Sequence, residues 1–365
     1  MRKIRALILY YKAEDNKTLS YQTEWPEAFK KSHLFESRLI NLNDLESKNI
    51  SKLLLYLFNK RIEIIICLHS VFSNQNNISF PISKIIQKIN IPKTYFIGNE
   101  YKLMPEKLRF INRMKFDIVF SQTNNIKVHE LYKKNLNSKI EWSPNCLVDQ
   151  EVFNYKINFN DRPITIGYRS YPSPFYIGNN ERVEIANFFQ NFSDKRGLVS
   201  DISLESKDRF NANDYARFLN NCKFQIGTEA GTDYFELTDN LRNEVNSFLQ
   251  GKKADWSEIY ELFFKSRIQK LPMRIISGKN IEAAACGTIQ ILFEGEYNGF
   301  LKPDIHYIPI KKDFSNINEV ELKMNDHYLL KEIRNNCLKL VNESFAYTKV
   351  LENIYQVIKN HVKFI

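Results

Sequence analysis

The run Ile62–Leu68, I-E-I-I-I-C-L, is apolar at every position except Glu63. A strand with two apolar faces must be covered on both, so it belongs inside a parallel sheet flanked by helices. Similar short runs recur at Ile4–Tyr11, Ser37–Leu42, Lys93–Ile97 and Asp117–Gln122. Helical patterns separate them, at Asp44–Asn59, Ile82–Ile89, Leu103–Lys115 and Ile126–Lys134, with an earlier helix starting at Pro26–Glu27. Strand–helix alternation of this kind predicts a parallel α/β sheet of about five strands. Ligands of such sheets sit at the carboxyl ends of the strands, which singles out His69, Asn99, Glu100 and Lys102.

Trp142-Ser143-Pro144-Asn145 and the Asn-rich stretch to Pro163 interrupt the pattern, which places a domain boundary near residue 160, within K-I-N-F-N-D-R-P. A second α/β pass follows: strand Ile164–Tyr168, helix Glu181–Phe192, a turn at Asp201-Ile202-Ser203, helix Ala212–Cys222 and strand Lys223–Ile226. The expected organisation is an N-terminal domain over 1–160, a second over 161–345 with a helical insertion at 240–264, and a closing helix over 346–365. A length of 365 residues suits two domains of ordinary size.

Several classes of function are disfavoured. Only Gly98 of the eleven glycines precedes residue 167, so the first strand is not followed by a dinucleotide-binding G-x-G-x-x-G. Five cysteines at 67, 146, 222, 286 and 337 form no C-x-x-C and no zinc spacing. There is no D-x-D, P-loop, H-E-x-x-H or G-x-S-x-G, and neither a metal nor a cofactor is expected. The net charge of +10 favours anionic partners, but the lysines are scattered without interleaved aromatics, which argues against nucleic acid. The same charge permits peripheral contact with the inner membrane face. No apolar stretch reaches the roughly 20 residues of a spanning helix, and the N-terminal apolar run lacks a cleavage site, so a cytoplasmic location is expected.

The densest chemistry lies in Arg274–Asp313. Asn280–Cys286 reads as a short helix on three alanines, closed by Gly287 and preceded by Ser277-Gly278 as a cap. A buried strand follows at Thr288–Phe293. Lys279 and Glu282, three apart, share a face at the positive end of the helix dipole. That arrangement suits a phosphate beside hydroxyl groups, as in a nucleotide sugar.

These residues resemble the donor-site motif of GT-B glycosyltransferases, in the group-1-like branch where a helix reading E-A-A-A-C-G-T precedes a short strand. The continuation from Gly295 to Asp313 is similar to bacterial members of surface-polysaccharide synthesis. The resemblance implies two Rossmann-like domains facing a cleft, with C-terminal helices packing back toward the N-terminal domain. It implies a cofactor-free transfer of a sugar from a nucleotide-sugar donor to a glycan or lipid-linked acceptor. Glu282 matches the carboxylate set on the ribose, and Arg169 of Gly167-Tyr168-Arg169 the guanidinium beside the diphosphate. Lys279, Gly227, Glu229, Glu296 and His306 complete the expected donor set. Retaining members of the wider fold carry a second glutamate eight residues before the first, where this chain has Arg274, so the stereochemistry stays open. Glu100 is the expected general base and His69 its alternative. A non-transferase sugar-nucleotide enzyme such as an epimerase, or a basic module binding sugar or nucleic acid, are the competing readings.

Overall fold

Parallel strands with apolar side chains on both faces form the centre of each half of the chain. In the computed structural model, which describes residues 2–13, 20–59, 61–267 and 270–362, two compact units emerge. One comprises Met1–Leu147 with Phe235–Asn240 and Tyr347–Ile365; the other comprises Val148–Tyr234 and Leu241–Ala346. The first crossing, at Leu147–Val148, lies ahead of the K-I-N-F-N-D-R-P run.

The first unit alternates β1 (Ile4–Tyr10), α1 (Ser20–Lys31), β2 (Phe35–Asn41), α2 (Glu46–Asn59), β3 (Ile64–Cys67), α3 (Phe80–Lys88) and β4 (Lys93–Phe96). It continues with α4 (Met104–Met114), β5 (Ile118–Ser121), α5 (Ile126–Asn135) and β6 (Lys139–Trp142). All pairings are parallel, in the order β2-β1-β3-β4-β5-β6. The sheet has six strands rather than about five, because the short K-I-E-W segment at its edge alternates and carries no continuous apolar run. Helix α1 also begins earlier than expected, with Pro26 inside it.

Two distant segments complete this unit. Asp239 accepts hydrogen bonds from the backbone N–H groups of Leu103 (2.5 Å) and Met104 (3.1 Å), capping α4, and Phe235 packs edge-on against Tyr132 with ring centroids 5.6 Å apart. The chain's last described helix covers the other side: Tyr355 meets Phe35 edge-on at 5.9 Å, and its hydroxyl donates to the Arg2 carbonyl at 2.8 Å.

The second unit contains β7 (Ile164–Arg169), α6 (Glu181–Arg196), β8 (Ser200–Ser203), α7 (Ala212–Asn221), β9 (Cys222–Gly227) and β10 (Ala230–Thr232). Next come α8 (Asn240–Leu249), α9 (Trp256–Phe263), β11 (Met273–Ile275), α10 (Gly278–Ala285), β12 (Ile289–Phe293), β13 (Ile308–Ile310), α11 (Ile317–Met324) and α12 (His327–Leu340). The helix just described over Tyr347–His361 is α13. Five parallel strands run in the order β13-β12-β9-β7-β8, and β10 pairs antiparallel with β11. The Asp201–Ser203 segment is part of edge strand β8 rather than a turn; its S-D-I-S sequence is half-exposed and has no apolar face to reveal it. Arg162 locks the underside of this sheet, donating to the carbonyls of Cys222 (2.9 Å) and Cys286 (2.7 Å) and to Thr288 Oγ1 (2.9 Å).

Candidate donor site in the second unit

From β7 the chain steps to β8 on one side and then to β9 on the other, so the carboxyl ends of β7 and β9 border the sheet's topological switch point. Helix α10 presents its N-terminus to this edge. Ser277 caps it in a reciprocal box: Ser277 Oγ accepts from Asn280 N–H (3.3 Å), and Asn280 Oδ1 accepts from Ser277 N–H (3.1 Å). Asn280 Nδ2 also donates to Gln290 Oε1 at 3.1 Å, which fastens the helix onto β12. Gly287, at φ 63°, ends the helix with its N–H on the Ala284 carbonyl.

Lys279 leaves the first turn of α10 and donates from Nζ to the Arg169 carbonyl at the end of β7. Burial and the neighbouring Arg182 and Arg209 pull its pKa down to about 7, against the opposing effect of Glu282. The two arginines flank one ring: the Arg182 guanidinium lies 4.9 Å and that of Arg209 4.3 Å from the Tyr171 centroid. Lys279, two guanidinium groups and a helix N-terminus therefore meet where the strands end. Glu282, buried on the same helix, lies close enough to Tyr215 to raise that phenol's pKa, after burial, the largest cause.

Arg169 reaches this edge through its backbone. Its guanidinium turns back to β8, donating to the Asp201 carbonyl (2.8 Å) and carboxylate (2.5 Å), and lies 4.7 Å from the Phe218 ring centre. Gly227 serves close packing: a Cβ there would come within 3.0 Å of Leu292 Cδ2. Glu229, just beyond β9, accepts from Tyr297 N–H at 2.6 Å, and burial lifts its pKa to about 6. Glu296 is exposed after β12, with its carbonyl engaged by Gly299 N–H. His306 lies before β13 instead of after a strand, and its Nδ1 accepts from Lys302 N–H at 3.2 Å.

Arg274 occupies a second polar cluster. It pairs with Glu181 and, through Nε at 2.8 Å, with Asp233; Lys312 joins Glu181 at 2.7 Å, and Thr228 donates to the same carboxylate. These cations hold Glu181 below its ordinary pKa although burial, the largest single influence, pushes it up. Gly231 faces Arg274 across the β10–β11 ribbon at φ 95°; a Cβ there would lie 1.9 Å from the Met273 carbonyl oxygen. Arg274 is thus a buried ion-pair partner at this edge.

The residues expected to take a proton lie in the first unit. Glu100 is fully buried and accepts from Ser121 Oγ (2.8 Å), Gln122 N–H (2.5 Å) and Tyr132 Oη (2.8 Å); burial raises its pKa to about 7. These bonds tie the loop after β4 to the end of β5, a fastening role. His69 follows β3, at that sheet's own switch point between β1 and β3, but is buried under Trp25 (5.0 Å between centroids) and Phe96 (5.3 Å). Burial lowers its pKa to about 3, so it stays neutral. Among the described residues, no three His, Cys, Asp or Glu side chains are grouped to hold a metal ion. Arg182 and Arg209 come from segments with no recognisable motif, and only the fold brings them near Lys279 and onto the Tyr171 ring.

No protein-family model matches the chain, and no curated protein sequence matches it. Solved structures do. Sucrose-phosphate synthase from Thermosynechococcus elongatus is similar over 98% of this chain and 99% of its own, with a TM-score of 0.55 and 11% identity. Anabaena HepE, solved with UDP-glucose, is similar over 98% and 100%, with a TM-score of 0.51 and 9% identity. A glycosyltransferase from Rickettsia africae is similar over the whole of both chains, with a TM-score of 0.51 and 12% identity. The chain has the fold of these glycosyltransferases, the GT-B fold of two Rossmann-like domains.

Proposed function

We propose that this protein is a glycosyltransferase that binds a nucleotide-sugar donor at the carboxyl edge of the second unit's sheet and passes the sugar to a glycan or lipid-linked acceptor. The observation that carries the reading is the meeting of Lys279, Arg182 and Arg209 at the N-terminus of α10. A diphosphate is the group that such a cluster neutralises, and HepE, of the same fold, was solved with UDP-glucose.

In the reaction the bond between the sugar's anomeric carbon and the diphosphate oxygen breaks, and a bond to an acceptor oxygen forms. Negative charge grows on the departing diphosphate. Lys279, Arg182, Arg209 and the first N–H groups of α10 stand ready to stabilise it, the role a metal ion plays elsewhere. Glu282, one turn into the helix, accepts hydrogen bonds from the ribose hydroxyls. Glu229 and Glu296 stand at neighbouring strand ends, within the region where the sugar would lie. His306 is left out because it precedes its strand. Glu100 and His69 are left out of proton transfer because the first unit's own structure engages them. The similarity of Gly295–Asp313 to surface-polysaccharide enzymes supports a cytoplasmic role in bacterial glycoconjugate synthesis.

A thermal-shift panel of nucleoside diphosphate sugars, followed by donor hydrolysis and transfer assays, tests this reading. At least one donor should raise the melting temperature, and Lys279→Met should abolish that shift. If no nucleotide sugar stabilises the protein and none is consumed, the proposal fails.

A further inference from the structure

The arginines of the second unit's sheet edge are held in two ways. Arg169 is bound to the Asp201 carboxylate at 2.5 Å, and Arg274 to those of Glu181 and, at 2.8 Å, Asp233. Their charges are met by carboxylates. Arg182 and Arg209 instead share the Tyr171 ring, with guanidinium carbons 4.9 Å and 4.3 Å from its centroid. The carboxylates beside them in sequence bond elsewhere, Glu181 with Arg274 and Lys312, and Asp208 with Ser203 Oγ at 2.7 Å. An aromatic face attracts a guanidinium through its quadrupole and carries no net charge. It draws two cations together against their mutual repulsion and leaves both charges in place, where a carboxylate would cancel one.

Tyr171 is itself firmly set. Ser170, just before it, donates its N–H to the Ser203 carbonyl at 3.0 Å, which extends the β7–β8 pairing by one residue. Pro172, just after it, confines the Tyr171 backbone to extended conformations. Arg182 comes from the first turn of α6 and Arg209 from the loop between β8 and α7. Phe210 anchors that loop, its ring centre 5.4 Å from that of Phe218 and 5.1 Å from the Arg169 guanidinium. A fixed ring thus gathers cations from two separate segments. Lys279 of α10 is faced by both of them, by Glu282 of its own helix and by the Arg169 carbonyl.

We propose that Tyr171 is a positioning residue of the donor site: its ring holds Arg182 and Arg209 together, still charged, for the diphosphate. The role rests on the donor reading given above. Tyr171 acts through the two arginines rather than on the reacting atoms, and it spares donor binding the ordering of two long side chains.

Two measurements on the full-length protein test it, one with donor and one without. In titration with UDP-glucose, Tyr171→Leu should weaken binding by about tenfold, the cost of ordering two rotamer-rich side chains on binding. Tyr171→Phe, which keeps the ring, should recover most of that loss. On an Arg182→Met/Arg209→Met background, Tyr171→Leu should cost less than about twofold more, because the groups it positions are gone. In the empty protein, the pH dependence of Lys279 acetylation by acetic anhydride, read by peptide mass spectrometry, reports the guanidinium charge nearby. Arg182 and Arg209 both favour the neutral amine, so Tyr171→Leu should move the midpoint upward from about 7, and Tyr171→Phe should restore it. Circular dichroism and melting temperature check folding, and Tyr171→Met, with the same expectations, replaces a leucine variant that does not fold. An unmoved Lys279 midpoint, an equal loss in Tyr171→Phe and Tyr171→Leu, or a full further loss without the arginines overturns the proposal. Wild-type binding that Tyr171→Leu leaves intact overturns this role alone. Absence of nucleotide-sugar binding by the wild-type protein overturns the donor reading and this role with it, whatever the Lys279 midpoint does.

Discussion

Lys279 makes the donor site sensitive to pH in a direction that can be worked out. Its pKa, pulled down to about 7 by burial and by Arg182 and Arg209, leaves the amine about half protonated at neutrality in the empty protein. A diphosphate binds the ammonium form, and a sugar diphosphate is itself fully ionised throughout this range. If only the charged form binds, apparent affinity falls about twofold from pH 6 to 7, about fivefold from pH 7 to 8 and about ninefold from pH 8 to 9. Binding at pH 8 should therefore draw in close to one proton, roughly nine-tenths on the same reckoning. Isothermal titration with UDP-glucose in two buffers of different ionisation enthalpy measures both quantities. Lys279→Arg keeps the charge at every pH, so its affinity should be nearly flat from pH 6 to 9 with no proton uptake. Lys279→Met should bind weakly throughout. An affinity of the wild-type protein that is constant between pH 6 and 9 would refute the placement of Lys279 against the diphosphate. The unliganded protein has an opposite trend. Between about 7 and 10.5 the unfolded chain holds more protons on this lysine than the folded one, so the Lys279 contribution makes folding more favourable as pH rises.

Further expectations concern other residues. Glu282→Ala should weaken donor binding by about 10- to 100-fold, the usual loss for hydrogen bonds to a charged acceptor, as read by titration; unchanged affinity removes it from the site. Arg274→Met leaves Glu181 and Asp233 without their shared guanidinium and should destabilise the second unit by about 3–5 kcal/mol in urea unfolding; a change below about 1 kcal/mol would show that Lys312 suffices. Glu100, with a folded pKa of about 7 against 4.5, holds extra protons in the folded state, so its contribution to stability declines as pH rises from about 4.5 to 7. Glu100→Gln should flatten that decline and leave donor affinity unchanged; an unaltered pH profile of unfolding would contradict the burial argument. Gly231→Ala should cost more than about 1 kcal/mol, because its φ is positive and the Met273 carbonyl occupies the place of the Cβ; a neutral effect on melting temperature would refute it.

Much of the architecture is local in origin, which is why the sequence reveals it. Ile64–Cys67, Ile118–Ser121 and Ile289–Phe293 are strands because an apolar run needs cover on both faces, and Ser277 and Gly287 bracket α10 by cap chemistry that needs no distant partner. Two of the edge strands escape this logic: β6 and β8 are half-exposed and mixed in composition, so neither presents an apolar signal. The same limit applies to Phe235–Asn240, whose membership of the first unit depends on Asp239 meeting the N-terminus of α4 from over a hundred residues away.

Side-chain roles divide along the same line. That Lys279 and Glu282 share the first turns of a helix is decided by their spacing of three. Which groups stand beside them is decided by the crossing of β7 to β8 and back to β9, which delivers Arg182, Arg209 and Tyr171 to one place. Glu100 has the residue type and strand-end position of a general base, yet three donors from β5, its following residue and α5 close around it. Arg169 likewise lends its carbonyl to Lys279 while Asp201 holds its guanidinium. Sequence order determines which residues stand at strand ends and helix caps, because those are short-range properties of the backbone. Burial and long-range hydrogen bonds arise only when the sheet assembles, and they determine which of those residues still face a ligand.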